Sequence, residues 1–364
     1  MSLDLHGKIG KEEMPMKAVH YYGPRNVKFI DLPKPSAGPG EVVVKVAYCG
    51  ICGTDVHAYS MEGIFNWELV LGHEPVGYVE AVGEGVDFVK PGDRVAMGPP
   101  GDCGMCYSCN SGNPNTCVNG FPNTAGIGPN TKGAYAEYVL SRFPQNELFK
   151  IPDKVSFEQA VLFDVLGVGF HAVRRSEMRP GDNVVVSGCG SIGLSVVQAV
   201  KLGGSNNLIC FDPLESKRKL ALDCGADYAF DPANEEHLAQ AKEILSHVPG
   251  AQVCFEAAGH PASVQTCIDL CMSSGQVMMI GNDGRPYELV TAAVGHRQID
   301  MKFSFVYTKE EIIMLFDLIG KGVIDTKHYS LFKAPLDDAI KMLDDLADGK
   351  IEYARVLLMP HGEI

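Results

Sequence analysis

A chain of 364 residues exceeds what one hydrophobic core usually supports, so two domains are expected. Apolar residues make up 46% and charged residues 21%, a globular balance that excludes a disordered chain. With 31 Lys and Arg against 45 Asp and Glu the net charge is −14, which argues against nucleic acid or an anionic membrane surface as partner.

Residues 1–15 are polar, carry no signal-peptide core, and read as an N-terminal extension. Short β-like runs follow at residues 17–21, 27–31 and 41–47, separated by Gly and Pro. At the end of the third run stands Cys49-Gly50-Ile51-Cys52-Gly53-Thr54-Asp55-Val56-His57, and beyond it Gly72-His73-Glu74. Thiolate, hydroxyl, imidazole and carboxylate groups placed this close together are those of a catalytic metal site on loops of a β scaffold. Zinc takes Cys sulfur and His nitrogen, and a catalytic zinc keeps one position open. The plainer alternative makes Cys49 and Cys52 buried core thiols and His73 a hydrogen-bonded core histidine.

After further strand signals at residues 77–83 and 89–96 come Cys103, Cys106, Cys109 and Cys117, spaced C-x2-C-x2-C-x7-C in a Gly-, Asn- and Pro-rich lobe. Too few apolar residues surround them to fold the lobe by burial, so they read as a structural zinc site that supplies the folding energy. Two disulfides and an iron–sulfur cluster are the alternatives. A β run at residues 133–139 is followed from Ser156 by helical spacing, with Asp164 inside an apolar stretch. A carboxylate there is costly unless paired or bound to a cation, which makes Asp164 a candidate third ligand, with a helix cap as the alternative.

The Val-rich run at residues 183–187 leads straight into Gly188-Cys189-Gly190-Ser191-Ile192-Gly193 and a helix, and a second strand ends at Asp212. In that context the glycines permit close approach of a pyrophosphate to a helix N-terminus, and Asp212 can accept hydrogen bonds from an adenosine ribose. Its charge would repel a 2′-phosphate, which favours NAD over NADP, while Lys217 and Arg218 nearby pull the other way. Helices at 215–223, 235–246 and 262–272 alternate with strands at 228–230, 252–256 and 276–280, a doubly wound α/β pattern. From Lys309 the order is helix, strand, helix, strand, and this tail is expected to return to the first domain. No apolar run reaches the ~20 residues of a membrane span. The 12 cysteines fit a cytoplasmic protein as ligands or reduced thiols.

The order of these signals is similar to that of the zinc-containing medium-chain dehydrogenase/reductase family over residues 16–360: GICGTDVH, GHE, the four-Cys lobe, KGAYAEYV, the Asp164 segment, SGCGSIGL, the acidic strand end and the C-terminal return. The resemblance implies an α/β chain with a GroES-like β-rich catalytic domain formed by residues 16–164 and 306–364, its structural zinc lobe at 101–118. A Rossmann cofactor domain with a doubly wound parallel sheet would occupy 165–305. Residue by residue, it implies Cys52 rather than Cys49, His73 and Asp164 as catalytic zinc ligands, and Glu74 as a second carboxylate beside them. Asp55 would orient His73, and Thr54 with His57 would relay a proton. Gly188, Gly190, Ser191, Ile192, Gly193, Asp212 and Lys217 would bind NAD. The implied cofactors are two zinc ions per chain and NAD, and the implied partners are a small alcohol, polyol or ketone and further copies of the chain, as homodimer or homotetramer.

The implied reaction is hydride transfer between NAD and the carbinol carbon of a secondary alcohol or polyol. Ala58 and Val306 stand where polyol relatives often carry Tyr and Arg, which tells against sorbitol. The runner-up substrate is an amino alcohol such as threonine. The rival from another class is a zinc-stapled NAD-binding redox sensor without turnover, which would have no need of Thr54 and His57. Trp67, Phe121 and Tyr307 are candidate pocket residues, His171 and His296 read as structural, and Arg355 is placed by position alone to reach the pyrophosphate.

Overall fold

The computed structural model describes residues 15–98, 102–281, 286–351 and 355–362. The expected N-terminal extension, Pro15 apart, and the first residue of the expected lobe, Gly101, lie outside them.

Three sheets organise the chain. A small one runs in the order Asn26–Pro33, Pro15–Gly23, Leu69–Val70. The second, of seven strands, runs Leu331–Pro335, Arg355–Met359, Val42–Gly50, Pro75–Val82, Arg94–Met97, Leu148–Lys150, with Tyr138–Ser141 also paired to Val42–Gly50. Val42–Gly50 is its centre and is buried almost throughout, because its two faces feed different cores. Val42, Val44 and Val46 enter one apolar cluster, whereas Ala47 and Tyr48 enter another together with Phe157 and Phe163. A continuous apolar run is what such a doubly covered strand requires.

The third sheet is parallel, in the order Tyr228–Phe230, Asn207–Phe211, Asn183–Ser187, Ala251–Glu256, Cys271–Met279, Asp300–Phe303. Val184 and Val186 pack on one side with Leu194, Val197 and Val200 of the helix Ser191–Gly203, and Val185 packs on the other with Val264 and Ile268 of the helix Pro261–Leu270. Helices on both faces make this the doubly wound unit that the sequence predicts. The tail does return: Leu357 and Leu358 pair with Gly50 and Cys49, so the last strand joins the first half of the chain.

Three local expectations shift. The stretch after Cys52 is not a loop but the helix Gly53–Ser60, whose first turn is closed by Asp55 accepting from the Cys52 backbone N–H at 3.0 Å. The strand expected at 133–139 is confined to Tyr138–Ser141, because the backbone of Gly133 and Tyr135 bonds instead to Val70 and Leu71 beside the small sheet. The strand expected at 276–280 starts at Cys271 but jumps register between Ala251 and Val253, where Ser274 sits at φ +60°. Among the described residues no helix is long and apolar enough to cross a membrane.

Candidate active site and metal centres

Four ligand groups converge from three segments far apart in sequence. Cys52 caps the helix Gly53–Ser60, His73 and Glu74 precede the strand Pro75–Val82, and Asp164 lies in the first turn of the buried helix Phe163–Arg175. Their ligand atoms all lie within 4.8 Å of one another. His73, Glu74 and Asp164 are buried. Cys49 is buried too but stands outside the cluster, and burial pushes its thiol up.

The surroundings fit a cation. Glu74 Oε1 is buried without a hydrogen bond among the described residues, 3.9 Å from His73 Nε2. Burial drives the Glu74 carboxyl well above the ordinary carboxylate range, and the Arg355 guanidinium only partly offsets this. At Cys52 burial acts upward, but the charge and hydrogen bond of His73 outweigh it and hold the thiol below its usual value. Burial also pulls the His73 imidazole down, and Asp55 and Cys52 more than reverse this, leaving it well above the ordinary value. Such a knot of mutually dependent protons is what a bound cation resolves, since its charge takes the place of the protons.

Around the ligands, Asp55 Oδ1 faces His73 Nδ1 at 3.6 Å, while Asp55 Oδ2 accepts from Tyr135 Oη at 2.8 Å. Tyr307 Oη donates to Asp164 Oδ1 at 2.7 Å. Arg355, read from position as a pyrophosphate contact, is buried and ion-pairs with Glu74. Tyr135's role escapes sequence reasoning, Arg355 is given another role there, and Tyr307 is visible only as a pocket candidate. Their partners lie 80, 281 and 143 residues away, respectively, and no local motif links residues so far apart. Thr54 Oγ1 lies 3.7 Å from Cys52 Sγ, and His57 is half-buried one turn further along the same helix. Of the other candidates, Trp67 and Phe121 meet edge to face at 6.3 Å, and His171 is buried between Asn115 and Glu311 as a structural histidine.

The second centre is the four-cysteine lobe. Cys103, Cys106, Cys109 and Cys117 gather within the same 4.8 Å limit, and all are free. The Cys106 and Cys109 sulfurs are 3.5 Å apart, far beyond the ~2.05 Å of a disulfide, which sets the disulfide alternative aside. The Asn119 amide and the backbone N–H groups of Met105 and Cys106 hold the Cys103 thiol down at about 6, whereas burial and neighbouring sulfurs push Cys109 up to about 12. Adjacent thiols cannot all ionise unless a cation sits among them.

At the nucleotide end the three glycines differ in kind. Gly188 has φ +99°, and a Cβ there would stand 2.7 Å from the Ala258 nitrogen. A Cβ on Gly193 would collide with the Gly188 carbonyl, whereas one on Gly190 would meet nothing within 4 Å. One glycine thus makes the turn, one packs helix on strand, and the middle one faces open space at the start of the helix Ser191–Gly203, where a pyrophosphate can approach. Asp212 is buried at the end of the strand Asn207–Phe211 and accepts from the backbone N–H groups of Cys189 and Leu214, both at 2.9 Å. Lone pairs remain for a ribose, as a carboxylate has about four acceptor positions. Arg218 is tied to the carbonyls of Asp212 and Pro213, and Lys217 is half-buried beside it.

Two family models match this chain. Residues 38–153 match the alcohol dehydrogenase GroES-like domain, and residues 191–321 match the zinc-binding dehydrogenase family. The sorbitol dehydrogenase of Bacillus subtilis (strain 168) is 31% identical over 352 residues, covering 95% of this chain and 98% of that protein. The 2R,3R-butanediol dehydrogenase of Bacillus subtilis superposes with a TM-score of 0.82 at 27% identity, over 95% of this chain and all of the other, 100%. The rspB alcohol dehydrogenase of Escherichia coli CFT073, solved with NADH, gives a TM-score of 0.84 at 26% identity over 95% of this chain and 99% of its own.

Proposed function

The chain belongs to the zinc-binding dehydrogenases with an alcohol dehydrogenase GroES-like domain, NAD(H)-linked oxidoreductases of alcohols and polyols, and from that premise we propose that Cys52, His73 and Asp164 hold its catalytic zinc. What carries the assignment is the gathering of these atoms and Glu74 within 4.8 Å from three separate segments. A zinc ion held by these residues would supply Lewis acidity toward a substrate oxygen, and bound NAD(H) would supply the hydride acceptor or donor.

The chain's own residues do the rest. Asp55, itself held by Tyr135, fixes the ring and tautomer of His73. Arg355 and a divalent ion together match the three anions Cys52, Glu74 and Asp164, so Glu74 can stay buried beside the ligands as a reserve carboxylate. Thr54 and half-buried His57 are the chain's two members of the relay that carries the substrate's hydroxyl proton out to water, general-base assistance worth roughly 10²–10⁴ in rate. Gly188, Gly190, Ser191, Ile192 and Gly193 seat the pyrophosphate, Asp212 accepts from the ribose and makes NAD the preferred cofactor, and Lys217 lies at the rim.

The same reading gives a second, structural zinc to Cys103, Cys106, Cys109 and Cys117. It places residues 16–164 and 306–364 in the catalytic domain and 165–305 in the cofactor domain, a division supported by the pairing of Arg355–Met359 with Val42–Gly50. A cytoplasmic location is supported by 12 cysteines that are all free. The substrate is a secondary alcohol or polyol, with the ketone as its partner. Ala58 is fully buried and Val306 brings no donor, so neither serves the extra hydroxyls of a hexitol.

The test follows NADH formation with secondary alcohols, vicinal diols, polyols and threonine, before and after chelation of the more labile metal. Chelator-sensitive turnover of one alcohol or diol class is expected. Turnover of threonine alone would transfer the assignment to amino alcohols, and cofactor binding with no turnover across the panel would favour the redox sensor.

A further inference from the structure

Val306 is a β-branched residue at φ +55°, a conformation that such side chains rarely adopt. Strain of this kind persists only where neighbours impose it. Here they do so on both sides. The Phe305 carbonyl accepts from Asn115 Nδ2 at 2.8 Å, and the Thr308 N–H donates to Glu311 Oε2 at 2.8 Å at the start of the helix Lys309–Gly320.

The turn drives Tyr307 into the protein, where it is fully buried and its hydroxyl meets Asp164. Two glycines make room for it. A Cβ at Gly98 would stand 2.7 Å from the Tyr307 hydroxyl, and one at Gly167 would stand 2.5 Å from its ring.

Asn115 belongs to the four-cysteine lobe, on the short turn Pro114–Thr116 just before Cys117. Its amide nitrogen donates to Phe305 and also contacts His171 Nε2 at 3.2 Å. An amide nitrogen can only donate, so Nε2 accepts and the ring proton sits on Nδ1, facing Glu311 Oε2 at 3.0 Å. His171 lies on the same helix as Asp164. A closed circuit results: Asp164, its helix, His171, Asn115, Phe305, Tyr307 and back to Asp164.

We propose that Tyr307 is a positioning residue for the zinc site, holding the Asp164 carboxylate turned toward Cys52 and His73, and that the four-cysteine lobe keeps Tyr307 in place through Asn115. The inference rests on the assignment of Asp164 as a ligand. A carboxylate with one oxygen fixed by a phenol has the direction of its other oxygen fixed as well. The lobe is then a buttress of the active site, and an ion lost from it would be felt at Asp164.

The test measures zinc retention by chelator competition, site by site, and the visible spectrum of the cobalt-substituted full-length chain. Tyr307→Phe removes only the hydroxyl and should weaken retention at the Cys52 site by roughly 10- to 100-fold, the usual cost of losing an outer partner of a ligand, with its cobalt bands altered and the four-cysteine site unchanged. Asn115→Ala should weaken the Cys52 site in the same direction while the lobe keeps its ion. Asp164→Ala is the control. If it leaves retention untouched, the ligand assignment itself falls. If it releases the metal while Tyr307→Phe retains it like the parent chain, positioning by Tyr307 is overturned and the assignment stands. Parent-like retention in Asn115→Ala overturns the buttress.

Discussion

Glu147 is the residue whose environment makes the sharpest demand on pH. It lies buried at the end of the short helix Pro144–Glu147, accepts from Ser141 Oγ at 2.6 Å, and is pushed by burial up to about 7 despite that bond. Its unfolded value is ~4.3, so between about pH 4.5 and 7 the folded chain keeps a proton that the unfolded chain has lost. The contribution is therefore fully present below about pH 4.5 and is lost as the pH rises through 7, about 3 kcal/mol over the interval. Glu147→Gln should remove that slope, so urea midpoints of parent and variant should converge near pH 4.5 and separate in favour of the variant by pH 7.5. Parallel curves would mean that Glu147 ionises as it does in water. Nothing in the local sequence marks this residue, because its environment comes from the strand Tyr138–Ser141 folding back over it.

At the scale of elements, the four-cysteine lobe stands apart from the rest. Its described residues contain only the single turns Tyr107–Asn110 and Pro114–Thr116, and Met105 and Tyr107 are exposed, so apolar burial contributes little to its shape. If the proposed two-zinc content holds, Cys106→Ser should lower it from two ions per chain to one and depress the thermal midpoint by several degrees, with secondary structure elsewhere retained. An unchanged metal count would remove the structural-zinc assignment. This element was legible in the sequence because ligand spacing is a local property, and the glycine fingerprint was legible for the same reason. Most helices and strands of the parallel sheet came out of periodicity with boundaries off by a residue or two, but the strand expected from 276 begins at Cys271 and the edge strand Asp300–Phe303 was not foreseen. What stayed hidden were the contacts that support the site from other elements: Tyr135 on Asp55, Tyr307 on Asp164, Arg355 on Glu74, and the strained Val306, which no propensity foretells. The loop reading of residues 53–60 failed because Gly53 and Thr54 look like turn residues, while Asp55 supplies the cap that starts a helix.

At the scale of the molecule, the parallel sheet ends on Asp300–Phe303, which has one neighbour, Cys271–Met279, among the described residues. In that strand and the segments on either side of it in sequence, Phe303 is 63% exposed, Phe305 53% and Val290 69%. An open edge flanked by apolar side chains is a template for another strand, and we propose that it is a contact between copies of the chain, in a homodimer or homotetramer. Val290→Asp combined with Phe303→Asp should reduce the mass measured by light scattering to that of a monomer while far-UV circular dichroism is kept. An unchanged mass would place the contact elsewhere.

The ion pair of Arg355 with Glu74 also orders events in time. A ribosome makes Glu74 early and Arg355 only 281 residues later, after the whole parallel-sheet unit has emerged. Until then the carboxylate has no guanidinium to face, and the centre strand Val42–Gly50 lacks its Arg355–Met359 neighbour. The cofactor half can therefore mature during synthesis, since its strands are contiguous. The sheet centred on Val42–Gly50, with Cys52, His73 and Glu74 beside it, waits for Arg355–Met359 to complete its pairing.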